Sequence, residues 1–442
     1  MKNLFYKTGT LALFAGALLA SCEPDIDTPS SSAGTADFST YIAVGNSLTA
    51  GYADGGLYRS GQLNSYPAIL AEQFAKVGGG EFKQPLFTEA QKNGSGYLSF
   101  KGFDASGLPI LEPVTTELAV RGMGLDGKTP LYTAYEEPVN NLGVPGIRMV
   151  DAKTAGYGFN NPAGFNPFYE RLIGDDLTPS GALLPYVNYV DATNPTFFTM
   201  WLGNNDVLGF ATSGGVAPIS DADKFQENLD AMINALVGDS EAEGVVINIP
   251  DVTGVPFFTT KATANLMQMA AAAGTKLYIT AANGQVREAA ATDYVLLTST
   301  VGTPEQVGPQ TVPHGFSPYN PLKNNEVLDG EEVTAAQNAI ATFNGKLKAA
   351  ADANNLAFVD MNAFFNSVKM KDNMPQLTLN NVAYTPAFIT GNLFSLDGVH
   401  LTPRGYAIVA NEIIRNINAK YGASIPAVDE TKYNAVLFPG LQ

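Results

Sequence analysis

Apolar residues are grouped along this chain in short runs that end at turn residues. Thr40 to Val44 runs into Gly45, Thr196 to Leu202 runs into Gly203, and Gly244 to Ile249 and Leu356 to Asp360 repeat the pattern. Each run is strand-length, rich in β-branched or aromatic residues, and predicts a buried strand. Between them the apolar spacing is helical. Ser65 to Val77 has a serine cap and an early proline, Asp221 to Val237 is amphipathic, Glu331 to Asn354 is long, and Pro403 to Lys420 opens with proline in its first turn. Strands alternating with helices predict an α/β domain, with a parallel sheet covered on both faces.

Three stretches break the alternation. Residues 78–140 and 361–395 are rich in glycine, proline and short β-like runs, and residues 255–330 mix an Ala/Met-rich helix with loops. They are expected as insertions on a loop face, forming a lid or substrate wall. The main domain is expected over 39–424, with a packed C-terminal tail over 425–442. Within the third insertion, Phe257, Phe258, Leu266, Met267 and Met269 are either plain core or the lining of an acyl groove.

The N-terminus changes the picture of where this domain works. Lys2 and Lys7 precede an apolar stretch from Leu11 to Ala20, too short for a permanent span and ending in small residues. Residues 1–21 are therefore expected to be a cleaved secretory leader. Its junction, Leu19-Ala20-Ser21-Cys22, resembles a bacterial lipobox, which implies acylation of Cys22 and a lipid anchor in the outer membrane. Cys22 is the only cysteine, so no internal disulfide is available. Residues 22–38 are polar and small, and are expected to be a flexible tether. Their acidic start, Glu23 to Asp27, resembles surface-export signals of Bacteroidota lipoproteins, and also suits a solvated linker.

Formal net charge is −17, and loss of the leader, with its two lysines and no acid, makes it more negative. That excludes nucleic acid and electrostatic binding to anionic lipid as partners. No Cys or His cluster has metal-ligand spacing, and Gly78-Gly79-Gly80 does not lead from a strand into a helix, so no cofactor or phosphate loop is expected.

The candidate chemistry lies at the carboxyl ends of the predicted strands, where open parallel sheets gather reactive groups. Ser47 follows the first strand in Gly45-Asn46-Ser47-Leu48, and its own N–H could face a developing oxyanion. Gly203-Asn204-Asn205-Asp206 follows the second, where an asparagine amide could donate to the same oxygen and Asp206 could brace the turn. Asp397 and His400 are three apart in Leu396-Asp397-Gly398-Val399-His400, so the carboxylate could fix the tautomer of the ring. In Asn141 to Arg148, Gly146 lacks a side chain and its N–H could approach a substrate closely. The chain has two histidines. His314, in Val312-Pro313-His314-Gly315, has no carboxylate beside it in sequence and is expected to be a surface or lid residue. Trp201 and Met200 are expected in the core.

These four blocks, taken in chain order across residues 45–400, resemble the SGNH/GDSL hydrolase family. The resemblance implies a three-layer α/β/α, flavodoxin-like fold. It implies Ser47 as nucleophile, His400 as base, Asp397 as its orienter, and an oxyanion hole from Ser47, Gly146 and Asn205. It implies an esterase or lipase working without a cofactor, on a lipid or other acyl ester or on an acetylated glycan. One residue departs: Asn46 stands where the family has aspartate, keeping hydrogen bonding but not charge. The alternative from another class is a non-catalytic surface lipoprotein that serves an outer-membrane transporter.

Overall fold

The computed structural model describes residues 31–105, 107–173, 183–238, 241–368, 370–371 and 374–439. The leader, Cys22 and the last three residues of the tail lie outside the described residues. Four strands form a central parallel sheet, β1 (Tyr41–Gly45), β2 (Phe197–Trp201), β3 (Glu243–Ile247) and β4 (Ala357–Val359), side by side in that order. An extended arm at 140–144 runs along the free edge of β1. The Ala43 N–H donates to the Asn140 carbonyl and the Leu142 N–H to that of Ala43, both at 2.8 Å, and Val144 N–H donates to Gly45 at 2.9 Å. With the arm counted, the order is that of a flavodoxin-like doubly wound sheet.

Among the helices of the described residues, α1 (Ser47–Ala50), α2 (Tyr66–Phe74), α3 (Asn205–Thr212), α4 (Ala222–Val237), α5 (Gly330–Ala353) and α6 (Pro403–Tyr421) accompany the strands. Alternation along each strand divides the core in two. Ile42, Val44, Phe198, Met200 and Val246 pack against α4 and α5, where Phe225 stacks on Phe343. Tyr41, Phe197, Trp201, Val245 and Ile247 pack against α2 and α6. The helices start at their caps. Ser65, Asp221, Asp329 and Thr402 each accept a first-turn N–H of α2, α4, α5 and α6, and Glu332 reciprocates at Asp329.

The insertions carry small elements of their own. Residues 78–140 hold two hairpins, Tyr97–Phe103 with Pro109–Val114 and Val120–Met123 with Pro130–Tyr132. Residues 255–330 build a separate small core around Leu277, Ile279, Phe316 and Leu322. Residues 361–395 include the hairpin Leu377–Leu379 with Val382–Tyr384. The tail packs, with Asn411 and Asn418 of α6 bonding the backbone of Val428 and Ile425.

Two expectations change, and one that was left open is decided. The packed chain begins inside the stretch expected to be tether: Ala36 and Phe38 are buried, Phe38 stacks on Phe74, and the Thr35 N–H donates to the Tyr421 carbonyl. An aromatic in that stretch had a core to join. The Phe/Met group is no groove: Phe258 is core, Leu266 and Met267 pack on the insertion's own core, and Met269 is exposed. His314 is buried rather than on the surface, with Nε2 at 2.8 Å from Glu326 and Nδ1 at 3.1 Å from both Glu305 and Asn320. The hairpin Pro304–Val307 with Gln310–Pro313 folds Glu305 back onto it.

Candidate active site

Gly45 ends β1 because nothing larger fits there. A Cβ at this position would lie 2.1 Å from Thr49 Oγ1 and 2.6 Å from the Trp201 carbonyl. The chain turns at once into α1. Asn46 caps that helix, its Oδ1 accepting the Leu48 N–H at 3.1 Å, and Ser47 becomes the first helical residue. Asparagine therefore keeps the capping bond at the position where the family has aspartate. Its buried Nδ2 has no partner.

The segment before α6 brings the histidine to the serine. Gly398 has φ of 73°, a conformation glycine adopts freely, and it lets the loop fold back so that Ser395 N–H donates to the His400 carbonyl. Asp397 Oδ1 accepts the N–H groups of Val399 and His400, each at 2.8 Å. Its Oδ2 lies 2.8 Å from His400 Nδ1 and accepts the Gly55 N–H at 2.8 Å. Burial alone would raise the Asp397 pKa, but the charge of His400 and these hydrogen bonds outweigh it and hold the carboxyl well below the usual range. An ionised Asp397 accepts the hydrogen bond of Nδ1–H, which keeps the proton on Nδ1 and leaves Nε2 as an acceptor. His400 Nε2 stands 2.8 Å from Ser47 Oγ. Serine, histidine and aspartate thus form one unbroken hydrogen-bonded chain.

Donors for an oxyanion stand close by. Asn205 opens α3 and lines the same small pocket as Ser47 and His400. One of its amide hydrogens goes to the Ile147 carbonyl at 2.9 Å, and the second remains. That bond ties α3 to the turn carrying Gly146, which has φ of 85°. Asp206 braces the same turn from below, accepting Met149 N–H at 2.6 Å and Val150 N–H at 3.3 Å. Among the described residues, neither the Ser47 N–H nor the Gly146 N–H has a partner within the chain. Gly146 is joined to this wall through its neighbour Ile147 rather than by lining the pocket itself.

Two contributors escaped sequence reasoning. Asp54 sits in a left-handed conformation, φ 54°, after α1. It accepts from the Leu396 N–H and the Tyr58 hydroxyl, while its own N–H donates to Ser395 Oγ, so it clamps the loop that carries Asp397. An Asp-Gly turn directly after the serine helix was the available signal. Asn204 lines the Ser47 pocket with both ends of its buried amide unpartnered; only its place beside Asn205 marked it.

A search of curated proteins found no match. Among known families, residues 41–413 match the GDSL-like Lipase/Acylhydrolase family over nearly the whole folded chain. The strand ends, the glycine turns and the serine–histidine contact lie inside that span, and the chain belongs to this family and is a hydrolase of ester bonds.

Proposed function

We propose that Ser47, His400 and Asp397 carry the hydrolysis through an acyl-enzyme. The observation behind this reading is the continuous Ser47–His400–Asp397 chain, with both contacts at 2.8 Å. His400 Nε2 removes the Ser47 proton as Oγ attacks the ester carbonyl. The oxyanion is met by the N–H groups of Ser47 and Gly146 and by the Asn205 amide. Collapse breaks the bond to the alcohol, which leaves with the proton from Nε2. Water, deprotonated by the same nitrogen, then releases the acid and restores Ser47. The aspartate remains ionised throughout and stabilises the imidazolium.

The substrate in this reading is an acyl ester of lipid type. The protein is exported and held at the outer membrane through an acylated Cys22, facing lipid. A second reading, release of acetyl groups from a carbohydrate, is favoured by one feature. The space directly around Ser47 is only about 50 Å³ and is lined in part by Asn46, Asn204 and Asn205, enough for a short acyl group in a polar setting. The binding-only reading beside a transporter gives no account of an aligned nucleophile and base.

The test is labelling with a serine-directed fluorophosphonate, followed by mass mapping, together with hydrolysis of p-nitrophenyl acetate and butyrate. Modification of Ser47 and loss of turnover in Ser47→Ala are expected. An unlabelled wild type, or a Ser47→Ala protein that still turns over, would sink the reading.

A further inference from the structure

The small pocket at Ser47 has a much larger neighbour. Leu48, Pro250, Val255 and Val399 line both, so the two spaces share a wall. The second space is a cavity of about 410 Å³ that extends from this wall toward the 361–395 insertion. Trp201, Phe365, Val368 and Phe394 line its farther parts. Trp201 was expected to be core alone; it is fully buried in the sheet, yet it also faces this cavity.

The chemistry of the lining selects the occupant. Most of the lining is apolar, with Asp251 and Tyr294 among its few polar members, and several of its polar groups already have partners. The Trp201 indole N–H donates to the Asn248 carbonyl, the Thr253 hydroxyl to Asp251, and the Asn366 amide to Asn362. A sugar entering the large cavity would lose its water without replacement bonds. A hydrocarbon chain would lose nothing and gain burial.

We infer that this cavity is the binding site for an unbranched apolar chain of the ester, entered from Ser47 past Leu48, Val255 and Val399. The inference rests on Ser47 as the reacting centre and names the substrate class that follows. A methylene occupies about the volume of a water molecule, ~30 Å³, so the cavity of about 410 Å³ holds a chain of roughly fourteen carbons. The ester group then sits in the small polar pocket and the chain behind the shared wall. The chain can be attached on the acyl or on the alcohol side. Both present the same hydrocarbon, and two substrate series tell them apart.

The experiment uses the purified full chain, with Ser47→Ala as background. One series is p-nitrophenyl esters from acetate to palmitate, the other alkyl acetates of increasing alcohol length, with acetylated xylan beside them. Each buried methylene is worth about fourfold in binding. In one series kcat/KM should therefore climb at least a hundredfold from the shortest member to about ten carbons, mainly through KM, and level off by about fourteen. Preference in the first series places the acyl chain in the cavity, and in the second the alcohol chain. A flat profile in both, or xylan as the best substrate, overturns the inference. Val368→Phe fills the distal end and should lower the ten-carbon to two-carbon ratio at least tenfold; an unchanged ratio counts against the site.

A second measurement is independent of turnover and of how that variant folds. Trp201 is the only tryptophan. Titrating Ser47→Ala with decanoate should change its emission saturably, with acetate as the null. No change with decanoate defeats the cavity as a chain site and leaves the role of Ser47 untouched. If Ser47→Ala still hydrolyses esters while Trp201 responds, the nucleophile assignment fails and the cavity stands.

Discussion

At the residue scale the site depends on a few atoms whose bonds are already placed before a substrate arrives. Asp397 has five hydrogen-bonding duties, and the one to His400 Nδ1 decides the tautomer. Asp397→Asn would keep the shape and offer an amide N–H to that nitrogen, turning the wrong ring nitrogen toward Ser47. A loss of roughly ten-thousandfold in kcat for p-nitrophenyl butyrate is expected, with KM little changed. A loss below tenfold would mean that His400 works without its orienter. Asn205→Ala removes one of the proposed oxyanion donors and should cost about 100- to 1000-fold in kcat. Asp54 touches neither substrate nor serine, so it is a positioning residue. Asp54→Ala frees the Leu396 N–H and should lower kcat about tenfold at unchanged KM, with partial rescue in Asp54→Asn, which keeps an acceptor. Equal stability loss in both variants with no rescue of kcat would reduce Asp54 to a structural role.

At the element scale, helix caps and hydrogen-bonded turns hold those atoms. Thr402 caps α6 two residues after His400. Its Oγ1 accepts the Gly405 N–H at 3.0 Å and donates to the Asn392 carbonyl at 2.9 Å. Thr402→Ala breaks both and should lower stability by about 1–2 kcal/mol, read from urea unfolding, whereas Thr402→Ser should recover most of it. The 255–330 insertion has a different fastener. Both ring nitrogens of His314 face acceptors, so the folded ring carries two protons. Burial opposes that charge, but Glu326 and Asn320 overcome it and raise the His314 pKa. The same contact helps to lower that of Glu326 against its own burial. His314→Ala leaves Glu326 buried beside the Ser299 and Thr300 hydroxyls without its cation. About 2–3 kcal/mol of local stability should go with it. Faster amide exchange confined to the segment between Ser299 and Glu326 is the expected signature, and exchange that is faster everywhere or nowhere counts against a local clamp.

At the scale of the whole molecule, the division between what was legible and what was not follows sequence distance. The strands ending at Gly45 and Trp201 and the helices behind Ser65, Asp221, Asp329 and Thr402 were legible, because apolar runs and caps are local signals. Ser47, Asp397 and His400 were legible as candidates, because each stands on a turn that follows a strand or leads into a helix; the contacts among them come from the fold. The cavity was not, since its wall joins Leu48, Trp201, Val255 and Val368 from four distant segments. Nor were the carboxylates around His314, which a hairpin and a short turn bring back to it. A global property also emerges only from burial. Burial raises the carboxyl pKa of Asp54 and of Asp206 to about 6, and that of Glu332 to about 7. A folded carboxyl that holds its proton more tightly than the unfolded chain contributes stability that is complete below the ordinary carboxylate range. That contribution is lost as pH rises through the folded value. Asp397 has the opposite sign: its contribution is present above the ordinary range and lost only in strong acid. Between about pH 4.5 and 7 the raised groups therefore set the slope, and the thermal midpoint should fall as pH rises. Calorimetry at constant ionic strength should show this fall in the wild type and a flatter curve in a protein carrying Asp54→Asn, Asp206→Asn and Glu332→Gln. If the two curves have the same slope, the decline comes from the molecule's overall negative charge rather than from these three buried acids.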